Sequence, residues 1–198
     1  TNMIPVYYDE TNDLWKKADS TNPNTTYKWY DYTSQMWANA VTVTSGTRST
    51  YTSSAVGTTV NMEDIMGFWV WIPRYEYKIT NSGTTLTAEQ INVNFISGTS
   101  TTNTSGYLIH PAFRNGTVYK NTADYDLGGW DKELTGIWYG KFETGYATNN
   151  TTNAAITSNI LIKPDTYSMR IQTVSNEYTT AQKIKTDHVV ILITDIDM

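Results

Sequence analysis

The sequence predicts a mainly β fold of the β-rich α+β kind. We expect an N-terminal pair of β-hairpins, then a mixed or antiparallel sheet domain with one or two short helices. Three observations predict it. Strand-forming Thr, Tyr, Trp and Val are abundant, with 15 Tyr and 7 Trp in 198 residues, while helix-forming Ala, Glu, Lys and Leu are scarce. Short apolar or alternating runs recur between stretches rich in Thr, Asn, Ser and Gly, which is the spacing of strands and turns. One aromatic motif near the N terminus occurs twice.

The repeat comes first along the chain. Val6-Tyr7-Tyr8-Asp9-Glu10-Thr11 aligns with Lys28-Trp29-Tyr30-Asp31-Tyr32-Thr33, and the match runs on through Trp15 with Trp37 and Ala18 with Ala40. Each copy reads as strand, polar turn, strand, because the turn residues bond their own backbone. Paired strands would bring Tyr8 near Trp15 and Tyr30 near Trp37 as cross-strand aromatic pairs. Residues 1–44 therefore read as an aromatic hairpin module. The Thr/Ser/Gly-rich stretch 45–60 has no apolar periodicity and reads as a linker, and 61–198 reads as the β-rich main domain.

Within that domain, Asn61 to Gly67 suggests a short helical turn ending in glycine. Phe68-Trp69-Val70-Trp71-Ile72 is a continuous apolar run, the pattern of a buried central strand. After Pro73, alternation places Arg74, Glu76 and Lys78 on one face and Tyr75, Tyr77 and Ile79 on the other. Ile91 to Ile96, Gly136 to Thr144 and Ile160 to Lys163 are further strands. Val174 to Ile184 is the one convincing helix, with Ser175 as its N-cap. Val189 to Ile193 is a buried-type strand close to Met198, so we expect the natural polypeptide to continue. The opening Thr1 leads us to expect a trimmed chain at the other end.

Composition narrows the function. Only 17% of residues are charged and Cys is absent, against roughly 25% charged in an ordinary domain. No disulfide framework, thiolate zinc site or cysteine nucleophile is available. A net charge of −5 argues against sequence-independent nucleic-acid binding. No run approaches the ~18 apolar residues of a membrane helix, and no basic segment precedes an apolar one as in a signal peptide.

Catalytic patterns are weak. The chain has two histidines, His110 and His188, without a Gly-x-Ser-x-Gly elbow; His110, before Pro111, reads as a partly buried residue bonded to backbone. Asp124, Asp126 and Asp131 lie in a Gly-containing loop and form a weak calcium candidate. The loop has Gly128 where a third ligand would stand and no closing Glu, so it reads first as a solvated acidic loop. Trp69, Trp71 and Trp138 sit in apolar runs and read as core. For Trp15, Trp29, Trp37 and Trp130, in polar surroundings, packing and binding both remain open. Five Asn-x-Ser/Thr sequons, at Asn24, Asn103, Asn115, Asn149 and Asn150, matter only if the source glycosylates such sites.

Several phrases carry a resemblance: Met3-Ile4-Pro5-Val6-Tyr7-Tyr8-Asp9, Trp15-Lys16-Lys17-Ala18-Asp19-Ser20, Trp29-Tyr30-Asp31-Tyr32, Met36-Trp37-Ala38-Asn39-Ala40, Trp71-Ile72-Pro73-Arg74-Tyr75, His110-Pro111-Ala112-Phe113 and Gly136-Ile137-Trp138-Tyr139-Gly140-Lys141-Phe142-Glu143. Together they resemble a family of uncharacterised Firmicute and phage-associated surface proteins, some fused to pilin-like segments. Trp138 to Thr144 is also similar to a strand of formylglycine-generating-enzyme-like domains. That implies a C-type-lectin-like fold without the enzyme's chemistry, since its cysteines have no counterpart here.

The expected function is a non-enzymatic, extracellular, cell-surface or virion-exposed recognition module that needs no cofactor. It would assemble with copies of itself or a larger particle and contact a cell-surface glycan or protein receptor. Tyr8, Trp15, Tyr30 and Trp37 would form the contacting hairpin pair, and Trp130 the exposed edge of the acidic loop. A subunit of a pilus-like filament, a carbohydrate-active enzyme using Glu76, Glu143 or an acidic-loop residue, and a calcium-stabilised adhesin are the alternatives.

Overall fold

The computed structural model describes residues 3–22, 24–80, 90–115, 130–149 and 152–184. Among them strand outweighs helix, 36% to 15%, so the fold is mainly β as expected. The strands are β1 (Ile4–Asp9), β2 (Leu14–Lys17), β3 (Asn39–Val43), β4 (Ile65–Pro73), β5 (Tyr75–Thr80), β6 (Gln90–Phe95), β7 (Leu108–Ile109), β8 (Gly136–Gly140), β9 (Gly145–Tyr146) and β10 (Tyr167–Ser168). The helices are α1 (Arg48–Ser53) and α2 (Val174–Ile184). Three sheets run in the orders β2-β1-β3-β4-β8, β6-β5-β7 and β10-β9. The chain divides into two compact units, one from Thr1–Val70 with Gly140–Met198 and one from Trp71–Tyr139. This partition differs from the sequence-based boundaries, because the N-terminal strands pair into the sheet of the first unit instead of standing apart.

In the first unit, β1 pairs antiparallel with β2 on one side and β3 on the other, and β3 pairs with β4. Alternation sends Ile4 and Val6 of β1 into a core with Val41, Val43, Tyr51, Val60, Ile65 and Phe68. The stretch expected as a linker contributes to this core. It folds into α1, buries Tyr51, and lets the Tyr51 hydroxyl donate to Asp64 Oδ2 at 2.6 Å. Its Thr and Ser hydroxyls hid the helix from propensity, because they bond carbonyls one turn back, as Thr52 Oγ1 does to Arg48 O and Ser53 Oγ to Ser49 O. Residues 61–64 turn without becoming helical, and Gly67 lies inside β4. There a Cβ would meet Thr42 Oγ1 at 3.0 Å, so glycine permits the close strand approach. Leu161 and Ile162 are buried and make isolated bridges to Gly145 and Gly67 in place of a full strand. Helix α2 spans the predicted residues, but its cap lies two residues before Ser175. The Thr173 hydroxyl accepts from Asn176 N–H at 3.3 Å and serves as the cap. The strand expected at Val189 to Ile193 lies outside the described residues.

In the second unit, β5 is central, with β6 and β7 antiparallel on either side. The polar face of β5 is buried at its start, where Arg74, just before the strand, is 0% exposed and Glu76 3%, and is open to solvent at Lys78. The Arg74 guanidinium donates to Phe113 O, Leu134 O and Ser100 O at 2.8, 3.1 and 2.9 Å and to Glu133 Oε2 at 2.5 Å. Glu76 accepts from Thr104 N–H at 2.7 Å and Asn94 Nδ2 at 3.3 Å. Buried charges persist only when their hydrogen-bonding atoms are occupied in this way. Trp71 and Trp138 pack edge to face at 5.3 Å between ring centres, half-buried where full burial was expected. His110 accepts the Ala112 N–H on Nδ1 at 3.2 Å and touches the rings of Tyr75, Tyr77 and Phe113. That is the backbone-bonded role the sequence suggested.

Candidate functional site

The repeat folds as two copies of one turn, but only the first is flanked by paired strands. In the second, Tyr32–Ser34 form a short 3-10 turn, and an isolated Asp31–Met36 bridge replaces the expected strands and Tyr30–Trp37 cross-strand pair. In the first, Tyr8 opposes Trp15 and Asp9 opposes Leu14. In the second, Asp31 and Met36 exchange both backbone hydrogen bonds at 2.8 Å, which is the Asp9–Leu14 pair carried along by the repeat offset. The Asp9 carboxylate accepts from Thr11 and Asn12 N–H at 3.2 and 3.3 Å, and Asp31 accepts from Thr33 N–H at 3.2 Å. These are Asx turns, in which the side chain replaces the first backbone acceptor. Each loop closes on a left-handed residue, Asp13 at φ 56° and Gln35 at φ 60°. The matched Ala18 and Ala40 are both buried.

The two copies present their aromatics differently. Trp15 packs on Phe68 at 5.0 Å and on Tyr8 at 5.3 Å between ring centres, and lies against the apolar core. Tyr8 stays 43% exposed, with its hydroxyl donating to Asp13 Oδ1. In the second copy the rings of Tyr30, Tyr32 and Trp37 follow one another at 5.2 and 5.3 Å, and Tyr30 and Trp37 are 43% and 38% exposed. Trp29 Nε1 donates to Asn39 O at 2.6 Å and so ties the second copy to β3.

A groove of about 680 Å³ runs beside the first hairpin. Tyr8, Trp15 and Met62 supply its apolar wall, and Asn39, Asn61, Glu63 and Lys141 its polar one. The Lys141 ammonium stands 5.1 Å from the centre of the Trp15 ring and donates to Asn39 Oδ1 at 2.9 Å. Desolvation there lowers its pKa below the ordinary lysine value. The groove thus sets aromatic rings beside two amides, one cation and the carboxylates of Asp13 and Glu63, a lining that offers stacking surface at the rim and hydrogen-bonding groups along the wall.

Of the predicted contact residues, Tyr8 and Trp15 therefore share this groove, and Tyr30 and Trp37 share the neighbouring aromatic row. Trp130 belongs to the second unit, where its Nε1 donates to Ala112 O at 2.8 Å; that bond ties it to the turn at Pro111–Phe113. Asp124 and Asp126 lie outside the described residues. Among the described residues, no cluster of three or more His, Asp or Glu is placed to hold a metal ion, and no helix is long and apolar enough to cross a membrane. The sequence reading missed Lys141, Asn39, Asn61 and Glu63. Lys141 sits in the Trp138 to Glu143 phrase, but nothing local marks it as a neighbour of Trp15. Compared with known proteins, the chain matches no family model, no curated protein and no solved structure.

Proposed function

We propose that the protein is a non-enzymatic recognition module of a cell surface or virion, which contacts a glycan or protein receptor through its duplicated hairpins and assembles with further copies. One observation carries the reading: a turn built twice to the same plan holds Tyr8, Tyr30 and Trp37 at the surface. Each of these aromatic residues leaves about two fifths of its surface uncovered, and apolar surface so placed is available for association. Fixed in place, the same rings offer large contact area at little cost in conformational entropy. The low charge and the Thr- and Asn-rich composition support the setting.

Glu76 bears on the glycosidase alternative. Its carboxylate is occupied by Thr104 and Asn94, and the Thr104 hydrogen bond holds its pKa below the ordinary glutamate value. A general acid needs the opposite shift, so Glu76 is a poor proton donor.

A glycan array and whole-cell adhesion assay on the wild type, Tyr8→Ala and Trp37→Ala test the proposal. Both variants should lose at least about tenfold in binding with melting temperatures close to wild type. Binding that survives both substitutions removes the hairpins from the contact. Turnover of a bound glycan would replace recognition by catalysis.

A further inference from the structure

The three-stranded sheet of the second unit turns its apolar face outward. Register sets Tyr75 opposite Phe95, Tyr77 opposite Val93 and Leu108, and Ile79 opposite Ile91. Directly opposed residues share a face, so these seven form one row. Ile79, Ile91, Val93, Phe95 and Leu108 are between 46% and 64% exposed, and none of the seven is charged. The reverse face carries Glu76, Lys78, Asn92 and Asn94. Among the described residues, burial on that reverse face is confined to Arg74, Glu76 and Ile109, while Lys78 and all of β6 are exposed. The apolar row is covered only at Tyr75 and Tyr77, by His110 and Phe113, and is open beyond them.

We infer that this face is an interface between two copies of the chain, packed face to face as two layers about a two-fold axis. The inference deepens the assembly half of the proposed function and rests on it. Four features select a second copy. An isologous contact needs only a self-complementary patch, and an uncharged apolar row is complementary to itself. It also lacks the charges by which a different partner would be steered and chosen. The strand β6, Gln90–Phe95, carries no charged side chain that would have to be desolvated or repelled when two layers meet. The five exposed side chains offer on the order of 500 Å² per copy, hence ~1,000 Å² for the pair, which reaches the lower bound of a specific interface.

Sedimentation equilibrium of the full chain tests this, with Val93→Lys and Leu108→Lys as variants. Both positions are exposed, so folding, followed by circular dichroism, should be unchanged. The wild type should show a monomer–dimer equilibrium, and each variant should weaken it at least about tenfold. A wild type that stays monomeric, or variants that dimerise as well as wild type, overturns the inference. A photo-crosslinking residue at Ile91 decides what covers the face: links between copies support the proposal, and links only to residues 185–198 of the same chain refute it. A Val93→Lys monomer that still binds receptor while the wild type never dimerises removes this inference and leaves the hairpin reading standing. Lost receptor binding in Tyr8→Ala, with dimerisation intact, supports the inference, since Tyr8 is not part of this face.

Discussion

The two hairpins share a turn and differ in what lies beneath them. In the first, the returning strand β2 pairs with β1, and Trp15 settles onto Phe68. In the second, the returning segment runs into β3, which pairs with β1 and β4 instead. Trp37 is left in a surface row with Tyr30 and Tyr32. The local code, an Asp that accepts from the residue two ahead and a left-handed fourth loop position, is the same in both. Whether the following tryptophan becomes a structural wedge or a surface contact is decided by the strand it meets. Duplication thus places one preformed turn in two surroundings.

Substitutions can break or sharpen that contrast. The largest effect is expected for Trp15→Ala, which removes a ring packed on Phe68 and Tyr8 and should cost about 2–4 kcal/mol, read by urea denaturation. Trp37→Ala should cost about 1 kcal/mol, mostly its edge contact with Tyr32, and affect binding more than stability. Equal losses in the two variants would erase the distinction between them. Asp9→Ala and Asp31→Ala each remove an Asx acceptor and should each lower the melting temperature by a similar, small amount, read by thermal denaturation. Gln35→Gly relieves a left-handed side chain and should change stability by less than about 1 kcal/mol.

Acid should act on both turns, since Lys28 stands 3.0 Å from Asp31 and holds its pKa below the ordinary aspartate value, as Lys16 does for Asp9. The Lys16 ammonium, 2.6 Å from Asp9, and the Asn12 side chain lower the Asp9 pKa to about 2. Because the folded value lies below that of the unfolded chain, near 3.9, the pair's contribution is fully present above about pH 4 and is lost as pH falls toward about 2. Thermal melts across that window at low salt should slope for the wild type, and Asp9→Asn should flatten the slope. High salt should weaken it as well, since both groups meet solvent.

The hairpin repeat was legible in the sequence because its chemistry is local: Asp-x-Thr closes the turn wherever it occurs, and Asp19 with Thr21 does the same at 2.9 Å. The central strand at Phe68 was legible from its unbroken apolar run. Helix α1 was not, because its side-chain hydroxyls lower propensity while Tyr51 anchors it by tertiary packing. The groove was not legible either. Lys141 reaches Asn39 across 102 residues, and no periodicity encodes that meeting. In β5 the alternation was read correctly, but a period of two says which residues share a face and not which face meets the core. Only the carbonyls gathered around Arg74 settle that.

Arg74 has a consequence in time. Its partners Ser100, Phe113 and Leu134 lie 26, 39 and 60 residues further along the chain. All three segments must be in place before the guanidinium can leave water, whereas each hairpin turn closes over four residues. Turns of that length form in microseconds, and non-local pairings come later because their loop closure precedes any gain. Arg74 is thus expected to engage after the folding barrier has been crossed. Conservative changes around it should leave the folding rate nearly unaltered and accelerate unfolding, which makes this buried cation a latch on the lifetime of the native state.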